Sequence, residues 1–378
     1  MSGKYERKLN AEPFRRRYRP LRAFVRLWPW LLAALCLIFA VICGICTYRY
    51  YICCNGLLSQ KAAERWRGDS EWAFSQNSVF LTDENGIELT NISEARKKVD
   101  EGLKMLHVEP APDASPDASM IADAYSAVTT LSVKGDSKRP TATTKTLAVG
   151  GDFFLFHPLK LVSGAYLTKD ALMKDRVVLD TALAWFLFGA TDVAGMEVEI
   201  NERPYLISGV VEIETDFATK EAYDDTYVLF MDYDAVKLIY QDAMPPITCY
   251  ELVLPEANQD YGVGVVRDLF PNDTVVNNTD RFAPLALWNV LRDYGKRSMQ
   301  KTGIILPYWE NAARMAEDHA AASLLLAVVF GILPAFCIVF FGIRAIILFL
   351  LRLKNETVEK IERKSEENKA KHYVRRGI

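Results

Sequence analysis

Two long apolar runs bracket the chain, and the stretch between them alternates strand-like and helix-like patterns. The first run, Leu27 to Thr47 ("LWPWLLAALCLIFAVICGICT"), holds 21 residues without a charge. At about 1.5 Å per residue, such a helix crosses a hydrocarbon core of about 30 Å. The second run, Ala320 to Leu351, contains a single charge, Arg344. As a helix it would be about 48 Å long, too much for one perpendicular span and too little for two. The excess predicts tilt, extension beyond the bilayer, or packing on protein. Near its middle, Gly331 and Pro334 allow close approach or a kink, which suits packing against neighbouring helices. Arg344 is read as snorkelling to the cytoplasmic edge.

Between the runs, "SVFLTDENGIELT" predicts a strand, an Asn85-Gly86 turn and a second strand. Next, Ile92, Ala95, Val99, Leu103 and Leu106 stand close to helical spacing, with Ser93 as a possible cap. "PDASPDAS" (112–119) is a polar loop, and "AYSAVTTLSVKG" and "TATTKTLAVGG" are β-rich around a turn at Gly135 to Pro140. "RVVLD" then reads as a strand, "TALAWFLF" as a short helix, and "EVEINERPYLISGVV" as a hairpin turning at Asn201 to Pro204. Downstream, "ITCYELVLP", "GVGVVRDLF" and "DTVVNN" read as strand, helix and strand. The expected fold class is α+β, a mixed α/β domain between two transmembrane helices.

The expected organisation is a basic head (1–26), a transmembrane helix (27–48), a juxtamembrane helical segment (49–77) and the α/β domain (78–285). A helical lead (286–319), a second transmembrane helix (320–351) and a charged tail (352–378) follow. Nine Lys and Arg lie before the first run and nine after the second. Short basic flanks resist translocation, so both termini are expected in the cytoplasm and residues 50 to 319 outside, with the chain in the cell (plasma) membrane. The long basic head and the lack of a small-x-small cleavage site favour an uncleaved anchor over a signal peptide.

Composition adds mainly exclusions. A formal charge of -3 offers no case for nucleic acid as a partner. Of seven cysteines only Cys249 lies deep in the middle stretch, which is no disulfide framework. His107, His157, His319 and His372 show no metal-ligand spacing and read as surface or packing residues. Asp224, Asp225, Asp232 and Asp234 flank one strand and read as solvated carboxylates rather than a Ca²⁺ loop. There is no G-x-x-x-x-G-K-[ST], hence no ATPase in cis, and no nucleophile-base-orienter pattern. No catalytic residue, cofactor or metal is expected, and the protein is not read as an enzyme. Each glycine of the central passage has a conformational reason: Gly189 after an apolar helix, Gly195 before a strand, Gly209 where a strand bulges.

That passage resembles the extracytoplasmic core domain of MacB/FtsX-type ABC transporter permeases. The resemblance runs through "LAVGGDFFLFHPLKLVSGAYL", "RVVLDTALAWFLFG" and "VAGMEVEINERPYLISGVVE", at Gly164, Phe188 with Gly189, Gly195, and Gly209 with Val210. It implies a permease-like subunit that works with an ABC ATPase or other permease subunits. Its extracytoplasmic domain would relay movement or bind a protein partner. Permeases of the family carry four membrane helices, and two are legible here. Two other functions remain open at this stage: a two-helix sensor or scaffold binding envelope components without an ATPase, and, more remotely, a membrane-anchored hydrolase.

Overall fold

The computed structural model describes residues 19–375 apart from 83, 111–118, 136–137, 224–225, 241–243 and 301; of residues 19–26 and 367–375 it describes the backbone alone. The chain divides into two units, 50–322 and a pair of segments, 1–49 with 323–378.

The first unit is built on one ten-stranded mixed sheet. Its order is β10 (Thr274–Asn277), β1 (Phe74–Phe80), β9 (Cys249–Pro255), β2 (Ala122–Lys134), β3 (Ala142–Gly151), β8 (Val228–Asp232), β5 (Arg176–Asp180), β7 (Arg203–Glu212), β4 (Lys160–Gly164). The tenth strand, β6 (Glu197–Ile200), pairs with both β2 and β7. The β3–β8 and β5–β7 pairs are parallel and the others antiparallel. The turn between β6 and β7 is tight: Ile200 pairs with Arg203, and Asn201 and Glu202 take φ of 49° and 62°. Positive φ at both central positions matches the right-handed twist of the flanking strands.

Every residue of β9 is buried, and the period of two sorts them onto two faces. Tyr250, Leu252 and Leu254 enter one apolar cluster. There they join Ile92, Val99 and Leu103 of α3 (Leu89–Met105), Leu183 and Leu187 of α5 (Thr181–Phe188), Val236 of α7 (Tyr233–Tyr240) and Val266 of α8 (Tyr261–Leu269). Burying each such side chain stabilises the fold by about 1.5–3 kcal/mol. Cys249 and Val253 enter the opposite cluster, with Ala62 and Ala63 of α2 (Ala62–Arg67) and Phe153 and Phe156 of α4 (Phe153–Phe156). Tyr308 and Trp309, at the head of α10 (Tyr308–Arg375), complete that second cluster. Glu251 shares this side of β9, a buried carboxylate in an apolar row.

Two local readings are corrected. "IELT" is not a strand: Glu88 and Asn91 form a capping box that starts α3 at Leu89, ahead of the expected Ser93. Reciprocal side-chain and backbone bonds satisfy the orphan donors of the first turn, so the helix wins there. Ile87 alone makes a bridge, to Ile247. Residues 74–77, assigned above to a juxtamembrane helical segment, belong to β1, whose Gln76 side chain accepts from the Ala62 amide (2.8 Å) and donates to the Ser59 carbonyl (2.8 Å). The polar loop at 112–118 and part of the turn at 135–140 lie outside the described residues.

The other unit is a helix pair made of α1 (Arg19–Asn55) up to Arg49 and α10 from Ser323 onward. Its contacts run antiparallel: the Cys43 thiol with the Ala327 carbonyl (3.3 Å), Phe39 edge-on to Phe330 (ring centroids 5.1 Å apart), Cys36 with Cys337 (3.1 Å). A Cβ at Gly331 would meet Cys43 Sγ at 3.4 Å, so this glycine faces α1. Pro334 lies inside a helix that continues past it.

Candidate functional site

Two of the motif glycines meet in space. Gly164 pairs with Gly209 across β4 and β7. A Cβ at Gly164 would lie 2.1 Å from the Ser208 carbonyl oxygen, and one at Gly209 would lie 2.5 Å from that of Ala165. Gly164 also has φ of 75°, whereas Gly209 has no positive φ and its requirement is space alone. Gly189, at φ 72°, ends α5, and its amide donates to the Trp185 carbonyl (2.8 Å). Arg139 reaches the carbonyls of Trp185 and Phe186 (3.2 and 3.1 Å) at the same helix end. Phe188 packs half-buried against the first cluster, and Gly195, at φ 88°, stands in open space. Gly164 and Gly209 shape the β4–β7 corner, Gly189 closes the end of α5, and these residues present no reactive group.

Chemistry-bearing side chains gather instead at two places that hydrophobic patterning does not single out. The first is the seat of α10. Trp309 is buried against His157, with ring centroids 4.4 Å apart. His157 Nε2 meets Glu251 Oε2 at 2.5 Å, the Ser78 hydroxyl donates to Glu251 Oε1 (3.1 Å), and Asn278 donates to Ser78 (2.9 Å). From the next residue on, Arg281 donates to both oxygens of Glu310 (2.9 and 3.0 Å), to Glu317 (2.6 Å) and to Gln60 (2.8 Å). Arg314 also donates to Glu310 (2.8 Å), and Arg297 pairs with Glu317. Burial works against the Arg281 charge, and the carboxylates of Glu310 and Glu317 more than offset it, so its pKa rises. Burial likewise opposes the Glu310 charge, yet Arg281 and Arg314 hold its pKa below the usual value. Below this cluster, Ala312, Ala313 and Ala316 pack on Ala218 and Ala222 of α6 (Phe217–Ala222). Small residues there allow close approach of the helices.

The second place is an open cleft of about 420 Å³ at the carboxyl ends of the parallel strands β3 and β8. Its rim carries Arg96 paired with Asp123 (2.6 and 2.9 Å), Lys169 with Asp152 (2.8 Å) and Lys174 with Asp232 (2.8 Å). Tyr125 lies on its wall, and burial, with the Asp234 carboxylate nearby, pushes its pKa up to about 12. Asp232 and Asp234 thus belong to a salt-paired cleft, while Asp224 and Asp225 lie outside the described residues. Among the described residues no group of His, Cys, Asp and Glu is arranged to hold a metal. The histidines stay apart: His107 is exposed, His157 buried at the seat, His319 edge-on to Phe217, and the side chain of His372 is outside the described residues.

Residues 78–252, which hold every motif glycine and most of the sheet, match the MacB-like periplasmic core domain family. This chain carries a MacB-like periplasmic core domain. The MacB-like core is similar to the extracellular domain of the noncanonic ABC-type transporter YknZ from Gram-positive bacteria (15% identity, 54% of this chain, 98% of that one, TM-score 0.34). It is also similar to the periplasmic region of MacB from Actinobacillus actinomycetemcomitans (15% identity, 64% and 100% covered, TM-score 0.38). No curated protein matches the chain. With helices Leu27–Asn55 and Tyr308–Glu366 long and apolar enough to cross a bilayer, the chain is a membrane protein with an extracytoplasmic domain.

Sequence reasoning missed the seat because its members come from seven separate segments, from Gln60 to Glu317. The one usable signal was the Glu310, Arg314, Glu317 spacing, which puts three charges on one face of a helix just ahead of an apolar run.

Proposed function

We propose that the chain is a permease-like subunit of an ABC-type export or mechanotransmission complex, and that it works by passing movement between its membrane helices and its MacB-like core. The observation that carries this reading is the construction of α10. Its first turns, with Trp309, Ala313 and Ala316 almost wholly buried, are part of the domain core, and the same helix goes on as the second apolar run. A tether needs no such seat. A displaced lever does, because a buried ion-paired helix end cannot slip against its sheet without stranding charges.

Both termini are placed in the cytoplasm by their basic flanks. The chain performs no catalysis of its own, and an ATPase in a partner subunit supplies the movement. Beyond Phe340 the apolar face of α10 is exposed, Ile346 and Phe349 at 61% each, and these residues are assigned to a partner's membrane helices. Detergent extraction of cross-linked membranes tests this. Photo-cross-linkers at Phe341 and Phe349 should capture an ATPase-associated permease subunit, and an ATPase should co-purify with the chain. Capture of lipid alone, with no ATPase co-purifying, would overturn the reading.

A further inference from the structure

The cleft at the ends of β3 and β8 sets five aspartates against three basic side chains, and in two of its ion pairs the anion is seated while the cation is not. Asp152 and Asp232 are 20% and 14% exposed, and their positions are fixed by the backbone. The Asp152 amide donates to the Asp123 carbonyl (2.7 Å), and Asp232 ends β8 in register with Val149 of β3. Asp232 Oδ1 accepts from the Asp234 amide (2.9 Å), which leaves Oδ2 for Lys174 (2.8 Å). The cations, Lys169 and Lys174, are 47% and 29% exposed, and both arrive on one connection without helix or strand, 165–175 between β4 and β5. The third pair is of another kind. Arg96 reaches Asp123 from α3 with two bonds, and the Tyr250 hydroxyl holds the same carboxylate (3.0 Å), so Asp123 is already satisfied.

Beside these carboxylates the wall is apolar. Tyr125, Phe154 and Leu167 line the cleft, and Phe154 stacks on Tyr166 (ring centroids 4.8 Å apart). Two glycines make room for that wall: a Cβ at Gly150 would lie 2.2 Å from the Tyr125 ring, and one at Gly151, where φ is 66°, would lie 2.3 Å from the Asp123 carbonyl oxygen. A lysine side chain is an ammonium group on a chain of methylenes. The cleft thus already receives two ammonium groups of its own, and Asp170 and Asp234 on its lining have no cation among the described residues. The surplus of carboxylates disfavours an anionic ligand. A free molecule with several ammonium groups joined by methylenes has the matching chemistry, because its charges suit the aspartates and its stem suits aromatic and aliphatic surface.

We propose that the cleft binds a linear polyamine, whose ammonium groups replace those of Lys169 and Lys174 on Asp152 and Asp232 while its methylenes lie along Tyr125 and Phe154. The two lysines are internal competitors. Pairs this exposed are weak, so an incoming amine displaces them readily. The apparent affinity is lowered by the fraction of time that the lysines hold the carboxylates.

Isothermal titration calorimetry of the full chain in a non-ionic detergent tests the proposal with spermidine as the probe and butylamine as a single-ammonium control. Spermidine should bind saturably, and butylamine about tenfold more weakly. Asp152→Asn and Asp232→Asn should each weaken spermidine about tenfold, and Lys174→Ala should strengthen it several-fold. Arg292→Ala removes an equal charge from an exposed position just past α9 (Pro284–Val290) and should leave binding unchanged. Unchanged thermal melts establish that a variant is folded, and the two aspartate variants check one another. No saturable heat with spermidine would overturn the proposal, as would equal affinity for butylamine. An effect of Arg292→Ala as large as that of Lys174→Ala would do the same, since it would mark diffuse attraction between charges in place of a site.

Discussion

The seat of α10 and the cleft above β3 and β8 are made from the same residue types, Arg or Lys against Asp or Glu, and differ in water. At the seat, Arg281, Glu310 and Glu317 are 3%, 1% and 4% exposed. At the cleft, Arg96 is 41% exposed, Lys169 47% and Lys174 29%, while their acidic partners are more covered. A pair taken out of water repays its desolvation only when every partner is present and well aimed. A pair left in water gains little and loses little. The seat therefore behaves as a clamp with one arrangement, and the cleft as a surface whose pairs can part.

The largest expected effect is at the clamp. Arg281→Ala removes the central cation from two buried carboxylates, leaving Glu310 only Arg314 and Glu317 only Arg297, and should cost about 3–5 kcal/mol of domain stability, read as a lowered Tm or unfolding midpoint of the full chain in detergent. A loss below about 1 kcal/mol would show the cluster to be wetter than described and would erase the contrast.

Asp180 sharpens the comparison because it is buried without a cation. It caps α5 by accepting from the Leu183 amide (2.7 Å), and the Tyr223 hydroxyl stands 3.4 Å from its other oxygen. Burial raises its pKa from 3.8 to about 6, against the lowering pull of those hydrogen bonds. The folded state thus binds the proton more tightly than the unfolded chain. This contribution to stability is complete below about pH 4 and is lost as pH rises through about 6. Asp180→Asn keeps the cap and cannot ionise. It should raise stability on the order of 2 kcal/mol at pH 8 and leave it unchanged near pH 4, measured by denaturant melts at both values.

At the cleft, Arg96→Ala should cost about 1 kcal/mol, because the pair is half in water and Asp123 keeps the Tyr250 hydroxyl (3.0 Å). Lys169→Ala should fall below about 0.5 kcal/mol, and its small effect should vanish in 1 M salt. A cleft variant as damaging as Arg281→Ala would show that exposure is not what separates the two clusters.

Legibility followed the range of the interaction that decides each feature. The strand "RVVLD", the helix "TALAWFLF" and the hairpin after it were readable because apolar spacing, a capping Asp180 and a turn at Asn201 act within a few residues. The second strand of the expected 78–90 hairpin was misread because two short-range signals compete there. The Asn85-Gly86 turn suits a hairpin, but the Glu88–Asn91 capping box starts a helix. Gly209 was recognised as conformational and Gly164 as a motif position, but not as a facing pair, since 45 residues separate them and only the β4–β7 register brings them together. The clamp was hidden for the same reason: Gln60 and Arg281 lie far along the chain from Glu310 and Glu317, whose helical spacing was its one local trace.

By itself the sequence determined the two apolar runs, the basic flanks, the α+β class of the stretch between them and the motif glycines that mark a MacB-like core, because each depends on transfer free energy or backbone geometry along a short segment. Tertiary structure alone decided which side of the sheet receives α10, that Glu251 and His157 meet beneath Trp309, and that Phe282 is tied to Tyr50 and Gly295 to Asp318. Those outcomes depend on distances between groups far apart in the chain, and burial gives a charge its energetic weight only after the fold has closed around it.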